Sequence, residues 1–329
     1  MSESPDSGGN GTVRLGWWLS SEEHDPRALV EQAIAAEEIG LTTAMVSDHL
    51  QPWTRAQGQS PFVWSVLGAI AQATDRLEIG TGVTSIVHRN SPITVAQAAA
   101  TLAVMSNERF FLGVGTGERL NEQPFGERWP RVPERRDRLR QAIELIRRLC
   151  SGEMVDHRGA HFAVERLQLM TRPAQPPPIY VASSGKRSAQ LAAEVADGLI
   201  GVAPDARIVD VFRGSGGEGK LCFAQLHVSL AAGSDEARDN AWKWWSVGAV
   251  PPTILTELAN PSDFEAVAEA VGPSALDDVV VCAIDAEPVV AAIDRFVGAG
   301  YSTVYLHQIG PDQQRLRDLL ESDLIGHYG

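Results

Sequence analysis

The sequence predicts an α/β fold, a single (β/α)8 TIM barrel with insertions. Three observations carry this expectation. Eight strand-like runs recur along one continuous chain of 329 residues, separated mostly by segments of helical periodicity. The run RFFLGVGTG at 109–117 is apolar without alternation, the pattern of a parallel strand covered on both faces. Beyond the first twelve residues, no internal repeat or low-complexity stretch interrupts the chain. An open doubly wound sheet accounts for this order less well than a closed barrel.

Residues 1–12, MSESPDSGGNGT, are polar and Gly/Ser-rich and predict a flexible tail. The barrel domain is expected over 13–329. VRLGWWLS (13–20) reads as the first strand, and PRALVEQAIAAEEIG (26–40) as an amphipathic helix opened by proline and closed by Gly40. TTAMVSDH is the second strand, FVWSVLGAIAQAT the next helix, LEIGTGVTS the third strand, and ITVAQAAATLAVMS its helix. RFFLGVGTG is followed by a long helix, ERRDRLRQAIELIRRLCSG, and then by VDHRGAHFAVERLQLM, which predicts a hairpin insertion near 153–170. IYVASSG, DGLIGVA and LCFAQLHVSLAA supply three more strands, and STVYLHQIG the last. The stretch near 240–285 reads as a helical excursion before that last strand.

Composition narrows the function classes. The hydrophobic fraction of 44% suits a large core, and a formal net charge of −14 with no basic stripe disfavours nucleic acid and anionic membrane as partners. Cys150, Cys222 and Cys282 are widely spaced, which predicts core thiols in a reducing cytoplasm and no metal site. No signal peptide and no membrane-length apolar run are read, so the expected partner is a small-molecule substrate.

In such barrels the C-terminal strand ends carry the chemistry, because a rigid wall holds their side chains at the ligand's entrance. SDHLQPW (47–53) ends the second strand with Asp48, His49 and Trp53, and VGTGERLNE (114–122) ends the fourth with Glu118. A histidine and a carboxylate sharing one mouth can divide acid and base roles, with Trp53 as a flat apolar wall. Taken singly, His49 reads equally well as a hydrogen-bonded structural histidine, Asp48 as a loop cap and Glu118 as a first-turn helix acid. Their convergence at one barrel face favours a catalytic site. GVGTGE lacks GxGxxG spacing and is no dinucleotide fingerprint.

SDHLQPW, GTGVTSIVHRNSPITVAQAAATL and RFFLGVGTGERLNE together resemble the luciferase-like flavin and deazaflavin barrel family, in particular its coenzyme F420-dependent glucose-6-phosphate dehydrogenases and their relatives. The resemblance is carried by residues 14–200 and is thinner afterwards. It implies an oxidoreductase that moves a hydride between a small polar substrate (alcohol, sugar or carbonyl compound) and F420, with His49 as general base, Glu118 as the acid near the ring and Trp53 lining the pocket. It further implies a cofactor site of Asp48, a non-prolyl cis peptide at Gly82–Val83, Thr84, Thr116, Gly117 and Asn121. The cofactor phosphate is expected at Ala182, Ser183, Ser184, Gly185 and Lys186, where a helix N-terminus offers free N–H groups. A homodimer is implied as well.

The chain also departs from the sugar-phosphate enzymes. GVAPDARIVD (201–210) has no lysine, and the stretch from Ala249 to Ala286 has neither lysine nor arginine. A phosphorylated substrate needs such cations, so a neutral one is expected near Gln225, His227 and His307. These three could instead pair buried backbone groups. The later chain leaves FMN open as the alternative cofactor, with an FMN-dependent monooxygenase or a flavin storage protein as the alternative functions.

Overall fold

The structure, a computed structural model, describes residues 13–328. The tail expected over 1–12 lies outside the described residues. Eight parallel strands close into a barrel: β1 Arg14–Leu19, β2 Thr43–Val46, β3 Glu78–Thr81, β4 Phe110–Gly115, β5 Ile179–Ala182, β6 Gly198–Gly201, β7 Leu221–Leu230 and β8 Thr303–Gln308. Each pairs with the next, and β8 pairs back to β1 from Arg14↔Thr303 to Trp17↔Leu306. All eight expected strands are present in the expected order.

The local chemistry explains the helices between them. The helix Pro26–Glu38 starts at Asp25, whose carboxylate accepts from the N–H groups of Arg27 and Ala28. Ser91 and Pro92 open Pro92–Met105 in the same manner, and the long helix Val132–Cys150 carries Arg147 and Arg148 in its last turn, where cations complement the dipole. Leu29, Ala33, Leu67, Ile70, Ala99, Ile143 and Ile146 form one buried layer between strands and helices. Each such leucine or isoleucine contributes roughly 1.5–3 kcal/mol by leaving water.

The barrel interior is filled from below by Trp18, Met45, Phe111, Tyr180, Ile200, Phe223 and Tyr305. Their bulk demands glycine opposite them. A Cβ at Gly80 would stand 2.1 Å from the Phe111 ring. Because this aromatic plug closes the lower lumen, only the upper, C-terminal mouth is left for a ligand.

The hairpin forms as expected, with Val155–Arg158 antiparallel to Ala163–Leu167. The 240–285 excursion is helical only in part. After the helices Ser234–Trp245, Pro252–Leu255 and Pro261–Val271 comes a short strand, Val280–Ala283, parallel to the upper half of β7 from His227↔Val280 to Leu230↔Ala283. The cause is strand length. β7 spans ten residues, but β6 pairs only with Leu221 to Ala224, so the upper backbone groups of β7 need a second partner.

Candidate active site

Strand alternation directs the site residues. His49 follows β2, and its ring lies 4.5 Å from that of Trp53, which in turn packs edge-on against Phe264. The Nδ1 of His49 faces the carbonyl of Gln51 at 3.3 Å and therefore donates to it, which leaves Nε2 turned to Glu22 Oε1 at 3.5 Å. Glu22, at the end of β1, is itself held by the hydroxyls of Ser20 (3.0 Å) and Ser47 (2.5 Å). An imidazole oriented at Nδ1 by a carbonyl, with a buried carboxylate beside Nε2 to stabilise the positive charge it gains on taking up a proton, can serve as a general base.

Glu118 comes to the same mouth from β4. Two contacts knit the segments: Asn121 Oδ1 accepts from the N–H of Leu50 (2.8 Å), and Gln51 Nε2 donates to the Leu120 carbonyl (2.9 Å). Asn121 Nδ2 also lies 3.5 Å from Glu118 Oε2. Burial pushes the Glu118 carboxyl above its ordinary value, while the charge of His49 and the Asn121 amide pull it down. A carboxyl held toward its protonated form beside a histidine suits an acid role.

Asp48 stands behind this pair rather than in it. Its carboxylate, fully shielded, accepts from Thr84 Oγ1 (2.7 Å) and pairs with Arg89 (2.8 Å), whose other Nη donates to the Asp48 carbonyl (3.1 Å). Burial pushes the Asp48 carboxyl up, against the Arg89 charge and the Thr84 hydroxyl. Thr84 is committed to this contact and Asn121 to the loop, so both act on the site through other side chains.

The β3, β4 and β5 ends form the other side of the mouth. The Gly82–Val83 peptide is cis, and Val83 packs above the aromatic plug. Gly117 has φ +74°, and a Cβ there would meet Ser85 Oγ at 2.3 Å, so Thr116 and Gly117 turn closely over the β3 end. At β5, Ala182 is half-buried, Ser183 Oγ bonds Ser188 Oγ (2.9 Å), and Ser184 and Lys186 are exposed. Open space surrounds the Cα of Gly185, whose own N–H donates to Ser188 Oγ (3.3 Å), and the helix Lys186–Val195 begins there, the end at which a helix attracts an anion.

The late strands bring a second imidazole group. His227 and His307 lie side by side on β7 and β8, with Nδ1 atoms 3.0 Å apart. His307 Nε2 meets Glu23 Oε2 at 2.6 Å, and Glu23 Oε1 accepts from the N–H of Gly310 at 2.8 Å. Trp245 packs on both rings, with centroids at 4.8 and 4.6 Å. Gln225 Nε2 faces His307 Nδ1 at 3.4 Å. His307 thus has both nitrogens engaged by protein groups and lies behind His227. Burial holds His227 well below the usual histidine range, so it is neutral.

Sequence reasoning missed Glu22, Glu23, Glu122, Arg135 and Trp245. The acids in SSEEHD end β1 and follow the same strand-end rule that singled out His49. Glu122 is buried and accepts from Ser85 Oγ (2.5 Å) and from the N–H groups of His88 (2.8 Å) and Arg89 (2.9 Å). Arg135 reaches under the mouth to the Gly117 carbonyl (3.4 Å) and pairs with Glu257 (2.9 Å). No local pattern marks Arg135 or Trp245, because Glu257, the ion-pair partner of the first, and His307, one of the rings under the second, are more than a hundred and about sixty residues away.

The barrel and its acid–imidazole mouth define a TIM-barrel site equipped for acid–base chemistry. The sequence profile of luciferase-like monooxygenases matches residues 11–303, and the chain belongs to that family. It is 33% identical over 329 residues to an F420-dependent glucose-6-phosphate dehydrogenase of Segniliparus rotundus, covering 95% of this chain and 97% of that protein. It is 39% identical over 274 residues to an F420-dependent hydroxymycolic acid dehydrogenase of Mycobacterium tuberculosis, covering 80% and 73%. An F420-dependent secondary alcohol dehydrogenase, solved with an F420–acetone adduct, superposes with a TM-score of 0.88 at 29% identity, covering 94% and 97%.

Proposed function

We propose that the chain is an F420-dependent dehydrogenase that oxidises a small neutral hydroxyl compound at the barrel mouth, or reduces the matching carbonyl compound in reverse. The observation that carries this reading is the fate of the cations. Arg89 is spent on Asp48, Lys220 Nζ donates to the carbonyls of Ala193 (2.7 Å) and Ala196 (2.9 Å), and Arg213 donates to the Gly300 carbonyl (3.0 Å). Among the described residues, the late-strand side of the mouth presents imidazoles, an amide and Trp245 instead. A dianion there would have no partner for its charge.

The residues fit the cofactor. Val83 and the close Gly117 turn offer a flat apolar seat, and the Ser184 hydroxyl, the open space at Gly185 and Lys186 offer a donor, room and a charge for its phosphate end. Bound F420 supplies the acceptor or donor of a hydride. His49 takes the hydroxyl proton through Nε2, the Gln51 carbonyl fixes its ring at Nδ1, Glu22 beside Nε2 stabilises the charge gained, and Trp53 excludes water on one side. Glu118 holds or releases the proton on the cofactor side. The names of the relatives at 30% identity or more favour F420 over FMN, and dehydrogenation over oxygenation.

Assembly as a homodimer in the cytoplasm belongs to this reading. Exposed Phe62, Val104 and Met105 beside the Val63–Ala73 and Pro92–Met105 helices, together with three unpaired cysteines, support it. Loss of F420 absorbance would be followed with propan-2-ol, glucose and glucose 6-phosphate. The neutral substrates should turn over faster, and His49→Ala should lower kcat roughly 100-fold with little change in cofactor affinity. A clear preference for the phosphorylated sugar would refute the neutral substrate, and full activity in His49→Ala would refute its role.

A further inference from the structure

We propose that the buried series Glu23, His307, His227 fixes the tautomer of His227, so that its free Nε2 accepts a hydrogen bond from a second hydroxyl of the substrate. His227 is then the specificity-determining residue that favours a diol or sugar over a simple alcohol. The inference rests on the proposed function only in taking the mouth as the substrate pocket.

The tautomers follow from donor and acceptor chemistry. A carboxylate only accepts, so His307 Nε2, 2.6 Å from Glu23 Oε2, carries a hydrogen. The Gln225 amide nitrogen only donates, so the His307 Nδ1 it faces at 3.4 Å is the lone-pair side. His227 Nδ1, 3.0 Å from that same nitrogen, must therefore donate to it. A neutral imidazole with its hydrogen on Nδ1 has a bare Nε2. Glu23 cannot swing away, because the Gly310 N–H holds its other oxygen, and both Glu23 and His307 are 1% exposed at the side chain.

The bare nitrogen faces the mouth. Phe223, Gln225 and His227 share one face of β7, and Phe223 belongs to the plug inside the barrel. His227 retains 8% of its surface, and no protein group bonds its Nε2 among the described residues. The other ionisable groups beside the series are Glu22, which is turned to His49, and His24, which burial holds toward its neutral form against the pull of Glu23. β1 and β8 lie between β2 and β7, which puts the backbones of His49 and His227 roughly 14 Å apart around the wall. With Glu22 and Glu23 filling the wall between them, the two imidazoles address different parts of a substrate.

Two measurements test this. Nitrogen-15 NMR of imidazole-labelled protein, assigned with His227→Gln, should find His227 protonated at Nδ1 and bare at Nε2. A hydrogen on Nε2 overturns the proposal. With reduced F420 present, so that no turnover occurs, propane-1,2-diol should move the Nε2 signal at concentrations where propan-2-ol does not; no response overturns it as well. Under turnover, His227→Leu should lower the diol-to-alcohol ratio of kcat/KM at least tenfold, through KM, and His227→Gln, which keeps an acceptor oxygen, should restore part of it. An unchanged ratio refutes the role. Failure of both alcohols to react, with the Nε2 response intact, would refute the proposed reaction and leave this site standing.

Discussion

Glu122→Ala is the most informative perturbation of the cofactor side, because one buried carboxylate ties together three groups of the loop after β3. It accepts from Ser85 Oγ and from the N–H groups of His88 and Arg89. Each hydrogen bond to a charged acceptor contributes about 1.5–3 kcal/mol, and each buried donor left unpaired costs about 1–3 kcal/mol. Water entering the vacated space would satisfy part of this, so a net loss of about 3–5 kcal/mol is expected for the three together. Glu122→Gln keeps an acceptor oxygen for the two N–H groups but loses the charge, and should cost about 1–2 kcal/mol. The loop also carries Arg89, the partner of Asp48, so turnover should fall with stability in Glu122→Ala and recover partly in Glu122→Gln. Urea unfolding of both variants, with steady-state kinetics on each, gives both quantities. A loss below about 1 kcal/mol in Glu122→Ala, with wild-type kcat, would show that other contacts hold the loop.

Glu118→Gln should lower turnover roughly 100-fold. In wild-type protein the limb of the pH–rate profile on which activity falls with rising pH should lie above the ordinary carboxylate range, because burial favours the protonated acid; loss of that limb in the variant is the check. Stability should fall as pH drops below about 6.5, because His227 and His24 are held neutral in the folded protein and take up protons more readily once unfolded. The contribution is complete above 6.5 and is lost as pH falls toward the depressed folded values. His227→Gln should flatten that slope in thermal melts across pH 7 to 5, and an unchanged slope would count against a neutral buried His227. Gly117→Ala should weaken F420 binding measured by equilibrium titration, since φ +74° and the Ser85 hydroxyl at 2.3 Å leave no room for a Cβ without moving the turn. Unchanged affinity would place the cofactor away from this turn.

Much of the candidate site was legible because the information is local. Asp48, His49 and Trp53 lie within one strand end, and Glu118 follows another, so the barrel expectation alone brought them to one mouth. The Gly82–Val83 cis peptide was expected from the resemblance and is present. The division of labour was not legible. That Asp48 is spent on Arg89 and Thr84, and that His307 stands behind His227, depends on contacts between residues dozens of positions apart. The strand Val280–Ala283 escaped for a related reason: its run VVVCA is too short to announce itself, and only the unpaired upper edge of β7 calls for it.

Periodicity and turn chemistry determined the eight strands, their order and the end of the barrel at which the candidate residues gather, because strand and helix patterns repeat over a few residues and parallel strands joined by helices have few ways to close. The lack of lysine and arginine from Ala249 to Ala286 likewise required no coordinates. Which charges remain free, and which imidazole nitrogen is bare, were decided only by tertiary structure. A side chain's charge and hydrogens answer to whatever stands within about 3 Å of it. In a closed barrel those neighbours come from strands on either side, as Glu23 and His307 do from opposite ends of the chain.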